Sequence, residues 1–421
     1  MTGIVIVGSQ FGDEGKGKVT DFYAGKADCV VRYQGGNNAG HTVVVGNKTL
    51  KFHLLPSGAM QNKRILIGAG VVLDPRVLKK ELEELEKAGI KINLGIDPRT
   101  HIIMPWHNLL DEGREESRNK TKIGTTKRGI GPCYADKAER LGIRFEELID
   151  EKNLKDRVLE VFPIKKAILE KVYNIKVNFN AEEIIKEYSE LGKELKTFLS
   201  DVSLEVFESL EKNEEIIFEG AQGTFLDNDF GTYPFVTSSH PLSSGAPTGV
   251  GIPFSKITKI IGVVKAYTTR VGFGPFLTEL VDKTGEHLIS KGNEFGTTTG
   301  RKRRVGWLDL PMLRTSMRLN GFTELAITKL DVLSGLKTIK VCTSYKINEK
   351  KVNYFPYSNK GIEKAEPIYK DFEGFNIIGT EKKFEELDKN ARIYLEYIEK
   401  ELKTPIKFIS IGAERGQTIL K

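Results

Sequence analysis

The feature that most constrains this chain is a short β-branched run, Ile4 to Val7, closed on both sides by glycine. It is followed almost at once by Gly12-Asp13-Glu14-Gly15-Lys16-Gly17-Lys18. Apolar runs of this length between glycines read as buried strands. The glycines behind it take positive φ without steric cost, which lets successive backbone N–H groups converge on an anion. A helix starting near Lys16 would bring its N-terminal partial charge to the same point. This loop is P-loop-NTPase-like without matching the usual motif. Six residues rather than four separate Gly8 from Gly15-Lys16, and Gly17 stands where a magnesium-binding Ser or Thr is expected. Asp13 is then the nearest hard oxygen donor for a metal. A solvated glycine-rich surface turn is the bland alternative.

The same device recurs. Cys29 to Tyr33 opens into Gln34-Gly-Gly-Asn-Asn38-Ala39-Gly40-His41-Thr42, and Ile216 to Phe218 into Glu219-Gly-Ala-Gln222-Gly-Thr224. Leu325 to Ile327 runs into Thr328-Lys329-Leu330-Asp331, and Ile406 to Ile411 ends at Gly412. Another strand spans about Ile257 to Val264, and Thr42 to Leu55 reads as a hairpin around Gly46-Asn47. Between strands lie helical patterns. One has an Asp74 cap, Pro75 in its first turn and Gly89 past its end, with Leu78, Leu82 and Leu85 as its stripe. Another carries Ile184, Tyr188, Leu191, Leu195 and Phe198, a stripe for core packing rather than ligand contact, and a last helix covers about Lys382 to Leu402. This alternation predicts an α/β chain with a central, mostly parallel sheet flanked by helices, ligands lying where the strands end. Length alone would allow two or three domains. With no repeat, linker or composition shift, we expect a single large catalytic domain over residues 1–421.

A 39% hydrophobic content supplies a large core, and no run approaches the roughly 20 apolar residues of a membrane span. The first residues lead straight into the strand with no signal-peptide pattern, so a cytoplasmic protein without membrane partners is expected. Cys29, Cys133 and Cys342 are scattered without metal-ligand spacing, which argues against a disulfide framework or zinc site. The net charge of +7 is spread among mixed Lys and Glu, the pattern of solvated helix faces rather than of a nucleic-acid binder.

Two clusters indicate ligand chemistry. Thr328-Lys329-Leu330-Asp331 resembles a guanine-reading motif, because a carboxylate can accept from both N1–H and the 2-amino group, a donor pair adenine lacks. Thr297-Thr298-Thr299-Gly300-Arg301-Lys302-Arg303-Arg304 sets arginine forks beside hydroxyls in a segment that reads as a mobile loop, suited to capturing a dicarboxylic amino acid. Aromatics for base stacking are not interleaved there, which disfavours a nucleic-acid patch.

QFGDEGKGK together with RYQGGNNAGHT resembles the paired active-site loops of adenylosuccinate synthetases. IGTTKRGIGPCYADKAER, FEGAQGT, GTYPFVTSS, VKAYTTRVGFGPFLTEL, GNEFGTTTGRKRRVGWLD and TKLDVL follow in the family's order. The resemblance spans essentially the whole chain. It implies a GTP-dependent ligase that joins IMP to L-aspartate through a 6-phosphoryl intermediate, the first committed step of AMP synthesis from IMP, with Mg2+ as cofactor. By the same resemblance Asp13 is the general base and a metal ligand, Gly40 a second metal ligand through its carbonyl, His41 the general acid and Lys16 the phosphate lysine, with Gln222 beside them as a catalytic residue. IMP contacts fall on Asp13, Glu14, Gly15, Lys16, Asn38, Ala39, Gly40, His41, Thr126, Arg140, Gln222, Thr237 and Arg301. The GTP set adds Gly12, Gly17, Lys18, Thr42, Arg303, Lys329, Leu330, Asp331, Ser410, Ile411 and Gly412 to Asp13 through Lys16, Gly40 and His41. Thr297 to Arg303, that is Thr297, Thr298, Thr299, Gly300, Arg301, Lys302 and Arg303, match the aspartate loop. The family is homodimeric, with Arg140 reaching the neighbouring subunit's site. Two departures are visible: Lys302 sits where arginine is frequent, and Phe11 replaces a frequent tryptophan. A GTP-driven switch is the competing class. It would need the phosphate loop and guanine motif but not His41, Gln222 or the arginine loop.

Overall fold

The computed structural model describes residues 3–38, 40–45, 48–118, 122–296 and 300–421, giving only the backbone course for 41–45 and 48–51. Its frame is a nine-stranded sheet. In chain order the strands are β1 (Gly3–Gly8), β2 (Cys29–Arg32), β3 (Arg64–Ile67), β4 (Asn93–Ile96), β5 (Ile216–Glu219), β6 (Ile257–Lys265), β7 (Glu324–Thr328), β8 (Ile406–Ser410) and β9 (Thr418–Leu420). They lie in the order β9-β8-β7-β6-β1-β5-β2-β3-β4. Every neighbouring pair is parallel except the β8–β9 edge. This is the α/β architecture expected from the alternation.

Strand β1 sits inside the sheet, between β6 and β5, which is why its residues are apolar without alternation. Val5 and Val7 enter the core on one face, and Ile4 and Ile6 enter the core on the other. Helix α1 (Lys16–Ala24) follows β1 directly, with Gly15 as its N-cap at φ 85°. Helix α2 (Pro75–Lys87) starts as read: the Asp74 side chain accepts from the Arg76 amide and Pro75 occupies the first turn. Helices α3 (Pro105–Ser117), α4 (Ile130–Glu139), α5 (Glu151–Lys171) and α6 (Ala181–Leu195) follow before β5. On α6, Ile184, Tyr188, Leu191 and Leu195 are buried, as that stripe predicts; Phe198, its last member, lies beyond the helix in a 3-10 turn and is only partly buried.

The last helix is shorter than its sequence pattern. It begins at Lys389, where Asp388 accepts from the Asn390 amide, and the preceding Phe384–Glu386 is a separate 3-10 turn. A second, four-stranded sheet built on Thr338–Ile347 and Glu366–Glu373 packs alongside. The expected 42–55 hairpin is present as His41–Val45 paired with Lys48–Phe52; its turn, Gly46-Asn47, lies outside the described residues.

Candidate active site

The C-terminal ends of β1, β5, β6, β7 and β8 converge on one cleft of about 1110 Å³, larger than one drug-sized ligand requires. Its wall includes Gly12, Asp13, Gly15, Lys16, Gly17, Lys18, Asn38, Gly40, Thr126, Gln222, Thr237, Gly300, Arg301, Arg303, Lys329, Asp331, Ser410 and Gly412. The predicted positions thus arrive from across 400 residues of chain.

The phosphate-type loop is stapled from inside. Glu14 is fully buried, and one of its oxygens accepts from the amides of Gln10 (3.0 Å) and Gly12 (2.9 Å). The other accepts from Lys16 Nζ at 2.7 Å. Gly8 must be glycine for this staple: a Cβ there would lie 2.3 Å from Glu14 Oε2 and 2.7 Å from the Gln222 carbonyl. Asp13 takes φ 60°, a left-handed conformation that Asp tolerates better than most residues. That turn leaves Glu14 inside and Asp13 on the cleft wall.

Asp13 has a partner from the arginine loop. Arg303 Nε donates to Asp13 Oδ2 at 2.9 Å, and its Nη1 donates to Glu294 Oε2 at 2.8 Å. Glu294 is fully buried and also binds Lys265 Nζ at 3.0 Å and the Tyr267 hydroxyl. Burial would raise the Glu294 carboxyl, but Lys265 and Arg303 hold it down at about 2. Sequence reading passed over Lys265 and Glu294. Their only signal was a lysine inside the apolar VVKAY run and a lone acid before the arginine loop.

At the other end, Lys18 Nζ donates to Ser410 Oγ (2.7 Å) and to the carbonyls of Gly412 (2.8 Å) and Gln417 (2.9 Å). Burial pushes this ammonium down to about 8, against the pull of Asp331 and Glu414. Burial also raises the Asp331 carboxyl, although Lys329 and Lys18 oppose it. Asp331 Oδ1 is buried with no hydrogen-bond partner, and so is Gln222 Oε1. Gln222 Nε2 donates to Asn38 Oδ1 at 3.1 Å. Buried polar atoms are nearly always satisfied, so two orphaned oxygens on one cleft wall are places where ligand donors fit.

Arg270 also lines the cleft and was not singled out. Its guanidinium donates to Thr232 Oγ1 and to the Phe235, Phe273 and Pro275 carbonyls. It lies 4.2 Å from the Phe11 ring centroid, which accounts for an aromatic at position 11. Burial lowers it to about 9.

Other expected residues stand elsewhere. Glu14, Leu330, Ile411 and Lys302 are not part of the cleft wall, the first three being buried beneath it. Arg140 caps α4 at φ 64°, is exposed, and also lies off the wall. Ala39, Thr297, Thr298, Thr299 and the side chains of His41 and Thr42 lie outside the described residues. A magnesium ion takes carboxylate, carbonyl and phosphate oxygens. The Asp13 carboxylate and the Gly40 backbone on the same wall fit that donor set.

Comparison with known proteins gives one consistent result. A family model described as adenylosuccinate synthetase matches residues 5–419. The chain is 52% identical to the adenylosuccinate synthetase of Carboxydothermus hydrogenoformans and 50% identical to that of Clostridium kluyveri, covering 100% of this chain and 99% of each relative. Among solved structures, the fully ligated adenylosuccinate synthetase of Plasmodium falciparum superposes with a TM-score of 0.93 at 39% identity, over 99% of both chains. The succinoaminodeoxyadenylate synthetase of cyanophage S-2L shares the fold, with a TM-score of 0.63 at 16% identity. With the family model spanning nearly every residue and relatives matched end to end, this chain belongs to the adenylosuccinate synthetase family.

Proposed function

We propose that the cleft joins IMP to L-aspartate at the expense of GTP, giving adenylosuccinate, GDP and phosphate. The observation that carries this reading is the pair of orphaned oxygens, Asp331 Oδ1 and Gln222 Oε1, at separate places on one wall. Asp331 would accept from guanine N1–H and its 2-amino group. Gln222, bonded to Asn38, would face IMP together with Thr126, Thr237 and Arg301.

The chemistry follows from a poor leaving group. The 6-oxygen of IMP must be activated before an amine can displace it. Asp13 would take the N1 proton, and the resulting 6-oxyanion would attack the γ-phosphorus of GTP, releasing GDP. Backbone N–H groups of the Asp13–Gly17 loop, with Lys16, would stabilise the phosphoryl charge, and His41 would donate to it. The aspartate amine, its carboxylates held by the 297–303 loop, then attacks C6, and the 6-phosphoryl group leaves as phosphate. Asp13 and the Gly40 carbonyl are the groups that would hold Mg2+, which when bound neutralises phosphate charge. Arg303 engages Asp13 through Oδ2, which leaves Oδ1 to take the proton.

On this reading the chain is one catalytic domain and works as a homodimer in the cytoplasm, with Arg140 serving the neighbouring subunit's IMP site. Its exposure and its place off its own cleft wall support that role. No helix among the described residues is long and apolar enough to cross a membrane. The test is phosphate release from GTP with each substrate omitted in turn. Release requiring both IMP and aspartate is expected. GTP turnover without them would make the protein a switch.

A further inference from the structure

The loop that carries Thr237 and Ser238 to the cleft has a second cluster at its base. Its two arms already run together, since the Thr237 amide donates to the Leu226 carbonyl (2.8 Å) and the Asn228 amide to that of Ser239 (3.3 Å). At the junction, ligand-type atoms of Asp227, Asp229 and His240 all lie within 4.8 Å of one another. His240 Nδ1 is 3.4 Å from Asp227 Oδ2 and 3.8 Å from Asp229 Oδ2.

Asp227 distinguishes this cluster from ordinary surface acids. Its side chain is fully buried. Oδ1 accepts from the amides of Asp229 and Phe230, both at 3.0 Å, which fixes the carboxylate plane. Oδ2 has no hydrogen-bond partner and points at the imidazole without the alignment of a hydrogen bond. A buried carboxylate oxygen left unmatched is expensive unless a cation meets it. Two bonds of about 2.1 Å at a tetrahedral angle place their ligand atoms about 3.4 Å apart, the separation found between Asp227 and His240.

We propose that Asp227, Asp229 and His240 form a binding site for one divalent transition-metal ion of the zinc and cobalt class, clamping the two arms of the loop. The imidazole nitrogen sets the metal class, because Mg2+ and Ca2+ favour all-oxygen sites. His240 and Asp229 are more than half exposed, so the ion keeps water ligands on the outer side. This site is separate from the Asp13 and Gly40 donors and does not depend on the function proposed above.

The test titrates Co2+ into the untagged full chain without nucleotide, in a large excess of Mg2+, following visible absorption and equilibrium dialysis. One Co2+ per chain is expected. His240→Asn and Asp229→Asn should each weaken it at least about tenfold; both side chains are exposed, so both variants should keep the fold, verified by circular dichroism. Asp227 is left unchanged because it also holds the loop backbone. Absence of Co2+ binding, or wild-type binding by either variant, overturns the proposal and leaves a plain His–Asp contact.

Discussion

Asp331 is half-buried near Lys329, Lys18 and Lys291 and keeps one oxygen without a donor, so on the proposed reading it acts as an acceptor pair for a base edge. Asp331→Asn turns one acceptor into a donor that opposes the guanine 2-amino group but suits xanthine, which carries a carbonyl there. The change should weaken GTP by roughly 2 to 4 kcal/mol, about 30-fold to 1,000-fold, and reverse the preference toward XTP. Comparing kcat/KM for GTP, XTP and ATP in both proteins tests this; an unchanged preference for GTP removes Asp331 from the guanine site. Asp13→Asn keeps the size of the side chain but neither takes a proton nor pairs with Arg303 as a carboxylate does. Turnover should fall by about 10² to 10⁴ with the fold retained, measured as phosphate release alongside circular dichroism; more than about a tenth of wild-type turnover rejects the base assignment. The expected residues that line the cleft were legible because motif and residue type travel together. Glu14 shows the limit. Its ligand contact was implied by the family resemblance, but the side-chain bonds to Gln10, Gly12 and Lys16 depend on a left-handed turn at Asp13 that no local pattern announces.

Elements carry the site through charges that cross between them. Glu294 follows the helix Lys283–Gly292, Lys265 ends β6, and Arg303 precedes the strand Arg304–Gly306, so one buried carboxylate joins three segments. Glu294→Gln leaves the buried Lys265 without its counter-charge and Arg303 with Asp13 alone, and should destabilise the fold by about 3 to 5 kcal/mol, read from urea midpoints. The pH dependence has a definite sign. A carboxyl held at about 2 in the fold, against about 4.3 unfolded, contributes stability fully above about pH 4.3. That contribution fades as pH falls toward about 2. The stability gap between wild type and Glu294→Gln should therefore close across this window, and a constant gap would show that Glu294 is not held as an ion. Strands and capped helices were legible because each has a local cause, such as the Asp74 cap or the apolar run of β1. The start of the final helix was misplaced because the charged, non-helical stretch 382–386 matches helix composition, and only the Asp388 cap marks the boundary.

At the scale of the molecule, alternating strands and helices foretold a parallel sheet, but strand order is not written in any segment. The placement of β1 between β5 and β6 comes from long-range packing. Assembly is testable at the same scale. If Arg140 completes a neighbour's site, mixing Arg140→Leu with Asp13→Ala subunits should restore part of the activity, since one hybrid site holds both wild-type residues. Absence of rescue after demonstrated subunit exchange rejects a shared site. The Lys18 tether has a further consequence. It fastens the first helix of the chain to Ser410, Gly412 and Gln417, beside a strand that enters the sheet only through β7. A polypeptide lacking the 410–417 segment would leave Lys18 without these three acceptors, so opposite ends of the chain close this corner of the cleft between them.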